Sequence, residues 1–327
     1  MAKKRILSGM RPTGPLHLGN LHGALANWKS MQDDYECFFF IADWHALTSD
    51  YDTTAPIQGY MMDIFLDWLS VGLSPEKCTL FVQSHVKEHA ELFLLLSMIT
   101  PLPWLERNPT YKEQIDQLKN KDLSTFGFLG YPVLQAADII MYKANGVPVG
   151  IDQAPHVELT REITRRFNYF YGEIFPVPET ILTETPKILG LDRRKMSKSY
   201  NNAIFLSDSP EQIRKRVGEM ITDPQRARRT DPGNPDVCNV FSFHQLYSDQ
   251  ETVKGIDPEC RQAKIGCVEC KQKMAESLIQ ALAPIREKRE YYEAHPDIVR
   301  AIAEKGNRKA QETARQTMEE VRKAVGL

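Results

Sequence analysis

No apolar run in the chain approaches the ~20 residues that a membrane-spanning helix needs, so there is no candidate for one. No secretory leader is expected either, since Met1-Ala2-Lys3-Lys4-Arg5 runs straight into a strand pattern rather than a signal-peptide core. The expectation is a soluble, cytoplasmic protein with no membrane partner. Excess positive charge is also lacking. The 41 Lys and Arg stand against 43 Asp and Glu, a formal net charge of -2, so any nucleic acid must be held by local patches. Cysteine is scarce, with six in 327 residues, and without an export signal a disulfide framework is disfavoured. Cys37 and Cys78 sit inside apolar runs and read as small buried hydrophobes. There is no internal repeat and no low-complexity segment. What remains is an ordinary globular chain: 42% hydrophobic residues can build a core, and 327 residues suit two domains at ~150 each.

Short apolar runs bounded by turn residues recur through the first half, at Ile6-Leu7, 37–42, 79–82, 147–151 and Ile188-Leu189. They read as strands buried on both faces, which a parallel sheet requires. Helical spacing lies between them, in Leu21, Leu25, Trp28 and Met31, and in Tyr60, Met61, Ile64, Phe65, Trp68 and Leu69. Strand and helix in alternation predict an α/β, doubly wound parallel sheet whose ligand sits at the carboxyl ends of the strands. The stretch 85–171 is mainly helical and reads as an insertion between two halves of that fold. After Ser199 the strand patterns stop. Ser209-Pro210-Glu211-Gln212 combines an N-cap, a proline at the first helical position and a capping-box glutamine. Helices then run to the end, apart from a loop at 223–235 carrying Arg226, Arg228 and Arg229, which suit a solvated loop as well as a phosphate contact.

Two segments carry chemistry. Lys195-Met196-Ser197-Lys198-Ser199 places two cations around a serine, a mobile loop suited to holding a polyphosphate while its charge is redistributed. By itself such a cluster is more often a solvated turn. The other segment, 8–20, joins the first strand to the first helix and contains Gly9, Gly14 and Gly19, where the backbone can pass close to a ligand. Gly19-Asn20 opens a helix, whose free N–H groups favour anions. His17 lies where an imidazole or imidazolium could donate to a phosphate under attack.

The pair His17-Leu18-Gly19-Asn20 and Lys195 to Ser199 resembles the two nucleotide motifs of class I aminoacyl-tRNA synthetases. The runs 9–14, 43–48, 131–139, 147–153 and 156–161, in that order, are similar to those of the bacterial tryptophanyl-tRNA synthetases. The resemblance implies a Rossmann-like catalytic domain at 1–200, with the helical insertion as the interface of a homodimer, and a helical anticodon-binding domain at 201–327. It implies attack of a tryptophan carboxylate on the α-phosphate of ATP, then transfer to the 3′ end of tRNA(Trp). Catalytic roles fall on His17, Asn20, Lys195 and Lys198, the lysines holding the departing pyrophosphate with Mg²⁺. The family's ATP contacts carry onto Arg11, Pro12 and Thr13, onto Gly19 and Asn20, and onto Gly150, Ile151 and Asp152. They carry also onto Ile188 and onto Lys195, Met196, Ser197, Lys198 and Ser199, with Lys112 as a looser match. For L-tryptophan the residues are Asp138, Gln135, Tyr131, His45 and Gln153. An indole offers one donor, its ring N–H, and a buried site must accept it. Asp138, after two alanines that leave room for a ring, is that acceptor in the family; otherwise it is an ordinary helix-face aspartate. Gln135 departs from the methionine of the best-known bacterial form and makes that wall more polar. Tyrosyl-tRNA synthetases share the fold and both motifs, and a non-catalytic RNA-binding relative could keep the fold alone.

Four cysteines lie outside the nucleotide segments. Cys260, Cys267 and Cys270 form C-x6-C-x2-C, with Cys238 upstream. Four thiols in a reducing compartment suggest a soft metal site. A subset of the family holds a [4Fe-4S] cluster on a similar arrangement, in which the first gap is one residue longer. Structural zinc and four reduced thiols are the alternatives. Arg261, Lys264, Lys271 and Lys273 around them are expected to form a basic surface for RNA.

Overall fold

The structure is a computed structural model that describes residues 3–108, 123–183 and 188–327, without the side chain of Asp152. Lys112 lies outside the described residues. Five strands form one parallel sheet in the order β3-β2-β1-β4-β5: β1 Arg5–Met10, β2 Glu36–Ile41, β3 Cys78–Val82, β4 Gly146–Val149 and β5 Glu179–Leu182. From Cys37 on, β2 is buried throughout, as is all of β3, which is why both read as unbroken apolar runs. The order reverses at β1, which has β2 on one side and β4 on the other. In an open parallel sheet that reversal leaves a crevice beyond the carboxyl ends of the strands.

Four of the five expected strands are present. The exception is Ile188-Leu189, which makes only an isolated antiparallel bridge from Leu189 to Lys195 and belongs to the lysine loop. The fifth strand is β5, whose exposed ends and single partner leave it no continuous apolar signal. The stretch 85–171 holds the helices Glu88–Ile99, Leu102–Glu106, Phe126–Met141 and Ala154–Tyr171, together with β4. Phe126–Met141 starts at an N-cap, Thr125, and is buried nearly all round, so it is a core helix rather than a surface one. Tyr131, Gln135 and Asp138 lie four and three residues apart on it and so share one face.

The chain divides into two compact units. The first comprises 1–14, 24–185 and 295–327; the second comprises 15–23 and 186–294. The last helix, Pro296–Val325, therefore belongs with the sheet. Its buried stripe runs through Ala310, Ala314, Met318 and Val321. Asn307 accepts the Val82 N–H at 2.8 Å and so occupies a donor on the β3 edge. Arg322 adds a two-bond ion pair to Glu91, at 2.8 and 2.6 Å.

In the second unit the 15–23 segment is clamped by backbone hydrogen bonds. Leu18 N donates to Ile204 O at 3.0 Å, and Leu206 N donates to Leu16 O at 2.9 Å. The helix Pro210–Glu219 begins with the expected capping box between Ser209 and Gln212. It packs on the helix Cys267–Ala294 through buried Ile213 and Val217. Among the described residues no helix is long and apolar enough to cross a membrane.

Candidate active site

The first unit contains a cavity of about 320 Å³ at the carboxyl ends of β1 and β4. Its apolar wall includes Phe40, Ile139, Val147 and Val149. Gly9 is required where β1 ends, because a Cβ there would stand 2.7 Å from the Phe40 ring. All five residues expected around the amino acid line this space: His45, Tyr131, Gln135, Asp138 and Gln153. Arg11 and Gly150, expected at the nucleotide, line it too.

Asp138 is fully buried and accepts four hydrogen bonds. His89 Nδ1 reaches Oδ1 at 2.6 Å, His45 Nε2 reaches Oδ2 at 2.8 Å, and Gln83 Nε2 spans both oxygens at 2.8 and 2.9 Å. Burial alone would push this carboxyl up, but His89 and His45 together bring it below the usual carboxylate range. An ionised carboxylate only accepts, so all three neighbours must donate. The Gln83 amide is oriented accordingly, because its Oε1 accepts Trp44 N at 3.2 Å. Tyr131 is held by His156, Oη to Nε2 at 3.1 Å, with Asn108 behind that ring at 3.3 Å. Burial pushes the Tyr131 phenol up, so it stays protonated. Arg11 contacts Ser49 and pairs with Asp50 at 3.3 Å. Its Nε is buried without a hydrogen-bond partner among the described residues, and burial lowers its pKa. Thr13 N donates to Arg11 O at 2.9 Å, Ile151–Gln153 forms one 3-10 turn, and Pro12 is buried.

The second unit brings His17, Gly19, Asn20 and the lysine loop together. His17 N donates to Asn20 Oδ1 at 3.0 Å, which orders the start of the helix Leu18–Asn20. A Cβ on Gly19 would lie 2.9 Å from the His17 ring, so only glycine leaves that ring its place. His17 is buried, and its Nδ1 has no hydrogen-bond partner among the described residues. Burial, then the charges of Lys198 and Lys195, lower its pKa to about 4. Of the two forms allowed by the sequence, the neutral imidazole is therefore the one present near neutrality.

Asn202 fastens the loop. Its Oδ1 accepts Ser197 N at 2.8 Å, while its Nδ2 donates to Asp192 Oδ1 at 2.6 Å and to Lys195 O at 3.3 Å. Ile188 O accepts Met196 N at 3.2 Å, which ties the backbone at Ile188, expected at the nucleotide, to the lysine loop. Ser197 caps the turn Lys198–Tyr200 by accepting Ser199 N at 3.3 Å. Met196 is buried and Lys195 exposed, an anchor beside a cation.

All four expected metal ligands are free thiols of the second unit. Cys238 precedes the helix Asn239–Tyr247, Cys260 ends near the close of Gln250–Arg261, and Cys267 and Cys270 sit one turn apart on Cys267–Ala294. Burial, then the neighbouring Cys238, Cys260 and Cys267, push the Cys270 thiol up to about 12. Arg226 Nη1 lies 3.8 Å from Cys260 Sγ. The thiols share a neighbourhood, yet among the described residues no three His, Cys, Asp or Glu side chains stand close enough to hold a metal ion. Of the four basic residues expected to form a surface around them, two are paired with carboxylates and a third is hydrogen-bonded to a backbone carbonyl. Arg261 pairs with Asp236 and Asp257, Lys273 with Glu269, and Lys271 donates to Gly218 O. Arg226 is likewise spent on Arg229 O and Ile265 O.

Sequence reasoning missed Gln83, His89, Asn108 and the structural role of Asn202. The side chains of Gln83, His89 and Asn108 meet their partners 39 to 55 positions away, so no local pattern marks them, whereas Asn202 binds Asp192, Lys195 and Ser197 within its own loop at irregular spacings.

The family model described as tRNA synthetases class I (W and Y) matches residues 2–283. The tryptophan–tRNA ligase of Thermotoga maritima is 53% identical over 325 residues, covering 99% of each chain. That of Aquifex aeolicus is 47% identical over 393 residues, covering 99% of this chain and 100% of its own. The tryptophanyl-tRNA synthetase of Campylobacter jejuni, solved with ADP and tryptophan, superposes with a TM-score of 0.92 at 33% identity over 99% of this chain and 100% of that one.

Proposed function

The chain belongs to the class I tRNA synthetases of the tryptophan and tyrosine family, and from that premise we propose which of its residues do the work. The reaction is ATP-dependent ligation of tryptophan to tRNA. The observation that carries the assignment of residues is Asp138, an ionised, fully buried acceptor in the wall of a mostly apolar cavity. An indole fits that description: a large apolar ring with a single N–H to satisfy. Asp138 reads the N–H, His45, Tyr131, Gln135 and Gln153 surround the rest of the amino acid, and Arg11, on the same cavity, contacts the ATP.

A tryptophan carboxylate oxygen attacks the α-phosphorus of ATP. The bond from that phosphorus to the bridging oxygen breaks, and pyrophosphate leaves with the electron pair. The carboxylate is already ionised, so no protein nucleophile is needed and catalysis is positioning plus charge stabilisation. His17, neutral, donates an N–H to the α-phosphate without adding charge, beside the helix opening at Gly19 and Asn20. Lys195 and Lys198 follow the pyrophosphate as point charges, and Mg²⁺ arriving with the nucleotide shares its charge. Pro12, Thr13, Gly150, Ile151, Asp152 and Ile188 complete the nucleotide contacts. A ribose hydroxyl of the tRNA 3′ end then attacks the anhydride and releases AMP.

Three further assignments are part of the reading. Exposed Leu94, Met98, Leu102 and Phe126 on the helices of 85–171 support a homodimer through that region. The helices after 200, apart from Pro296–Val325, form the anticodon-binding part of a cytoplasmic enzyme, with exposed Arg228 available to RNA. For the four cysteines the reading is a [4Fe-4S] cluster, supported by a donor set of four soft thiols and by the Arg226 cation beside Cys260; binding it would require the thiols to draw closer together than they stand here. Protein purified without oxygen should then contain about four irons per chain; stoichiometric zinc would move the site to a structural-zinc reading, and metal-free protein of full stability would leave four thiols. Pyrophosphate exchange with tryptophan and tyrosine side by side tests the main assignment. Exchange with tryptophan alone is expected, and exchange with tyrosine, or with neither, would overturn it.

A further inference from the structure

Behind Asp138 lies a layer of side chains that touches no part of the cavity. His89 is wholly buried, sits on the helix Glu88–Ile99, and does not line the cavity. Its Nδ1 donates to Asp138 Oδ1 at 2.6 Å, and its Nε2 meets Tyr142 Oη at 2.7 Å. Because Nδ1 must carry a proton toward a carboxylate, a neutral His89 has only Nε2 left to accept. Tyr142 supplies the donor. It is fully buried, and burial, then Asp138 and Glu88, push its phenol well above the usual range, so it keeps its proton. Its ring is stacked on Phe38 at 4.8 Å and set edge-on to Phe81 at 5.2 Å, which fixes where the hydroxyl points.

We propose that His89, with Tyr142 behind it, is a positioning residue for recognition of the indole N–H. It holds Asp138 as an oriented acceptor whose Oδ2 faces the cavity. The geometry also says which bond the substrate replaces. Oδ1 is occupied by His89 and Gln83, neither of which lines the cavity, whereas Oδ2 is occupied by Gln83 and by His45, which does. The His45 side chain is 10% exposed, against zero for Asp138 and His89. His45 is the donor that yields to the incoming N–H, while His89 and Gln83 stay. An aspartate held by His45 alone would lose its orientation when His45 moved. This inference rests on the reading of Asp138 as the indole acceptor.

The test compares tryptophan with β-(3-benzothienyl)alanine, in which sulfur replaces the ring N–H, in pyrophosphate exchange. Tyr142→Phe keeps the stacked ring and removes only the hydroxyl. His89→Asn keeps a donor near the Nδ1 position, and His89→Leu removes it. The preference for tryptophan over the sulfur analogue, as a ratio of kcat/KM, should fall by about threefold to tenfold in Tyr142→Phe. It should fall further in His89→Leu and less in His89→Asn, with the KM for ATP unchanged. Equal losses for both amino acids would mean that His89 and Tyr142 only support the fold, and an unchanged preference would overturn the proposal directly. If His89→Leu does not fold, Tyr142→Phe still decides. Asp138→Asn serves as the reference. Should it keep the wild-type preference, the reading of Asp138 itself fails. Should it lose the preference while Tyr142→Phe and His89→Asn keep it, only the positioning role fails.

Discussion

The cavity around Asp138 and the loop around Lys195 and Lys198 both handle charge, and they do so in opposite ways. Asp138 is fully buried, with four acceptor directions filled by three side chains drawn from separate parts of the chain. Lys195 is exposed, on a loop whose frame is fastened by Asn202 through backbone contacts at Ser197 and Lys195. A buried, saturated acceptor suits a fixed target, since the ring N–H of a bound amino acid does not move during the reaction. Cations on a loop suit a target that moves, as the pyrophosphate does when it departs. On the proposed assignment, rigidity is placed where the ligand is recognised, and adjustable charge where the chemistry develops.

The largest effect expected is on the chemical step. Lys195→Ala or Lys198→Ala should slow adenylate formation by about 10²- to 10³-fold. The affinity for tryptophan should stay within about twofold, because these charges matter mainly in the transition state. Single-turnover adenylate formation and equilibrium dialysis with labelled tryptophan separate the two quantities. Collapse of tryptophan affinity with the chemical step intact would break the comparison.

Next in size is the cavity. Asp138→Asn or Asp138→Ala removes a charged acceptor worth about 1.5–3 kcal/mol, so kcat/KM for tryptophan should fall by roughly tenfold to 10²-fold. Unchanged steady-state kinetics would remove Asp138 from recognition.

The fold was legible in the sequence where burial was two-sided. Residues 37–41 and 79–82 are uninterrupted apolar runs because both faces of β2 and β3 are covered. β5 was not legible, since an edge strand with exposed ends carries no such run, while the short apolar pair Ile188-Leu189 mimicked a strand and proved part of the lysine loop. Asp138 could be singled out by its small and apolar flanks. Its supporting side chains could not. Gln83 and His89 meet it across 55 and 49 positions, and a hydrogen bond of that range leaves no periodic trace. The charge state of His17 was equally hidden, because it depends on burial and on lysines far along the chain.

That charge state gives a smaller effect with a definite sign. The folded pKa of His17 is lowered to about 4, below the ordinary histidine value of 6.5. Between these values the unfolded chain binds more protons, so His17 contributes a loss of stability as pH falls from about 6.5 to about 4. Above that window its contribution is flat. In urea unfolding measured at several pH values, His17→Asn should flatten the acid limb of the stability curve. It should leave the region between pH 7 and 8 with the wild-type slope. The pH profile of adenylate formation should likewise show no His17 inflection near 6.5. An inflection there that disappears in His17→Asn would mean that the imidazole is charged in the working enzyme, and the two regions would then not differ as described.

Whether the cavity and the loop act separately is tested most directly by combining one variant from each. The losses in kcat/KM for tryptophan-dependent pyrophosphate exchange are measured for Asp138→Asn, for Lys198→Ala and for the double variant. If the cavity recognises and the loop stabilises developing charge, the two factors should multiply to within about twofold. A double variant no worse than the weaker of the two single variants would mean that Asp138 and Lys198 act as one unit, and would contradict the division.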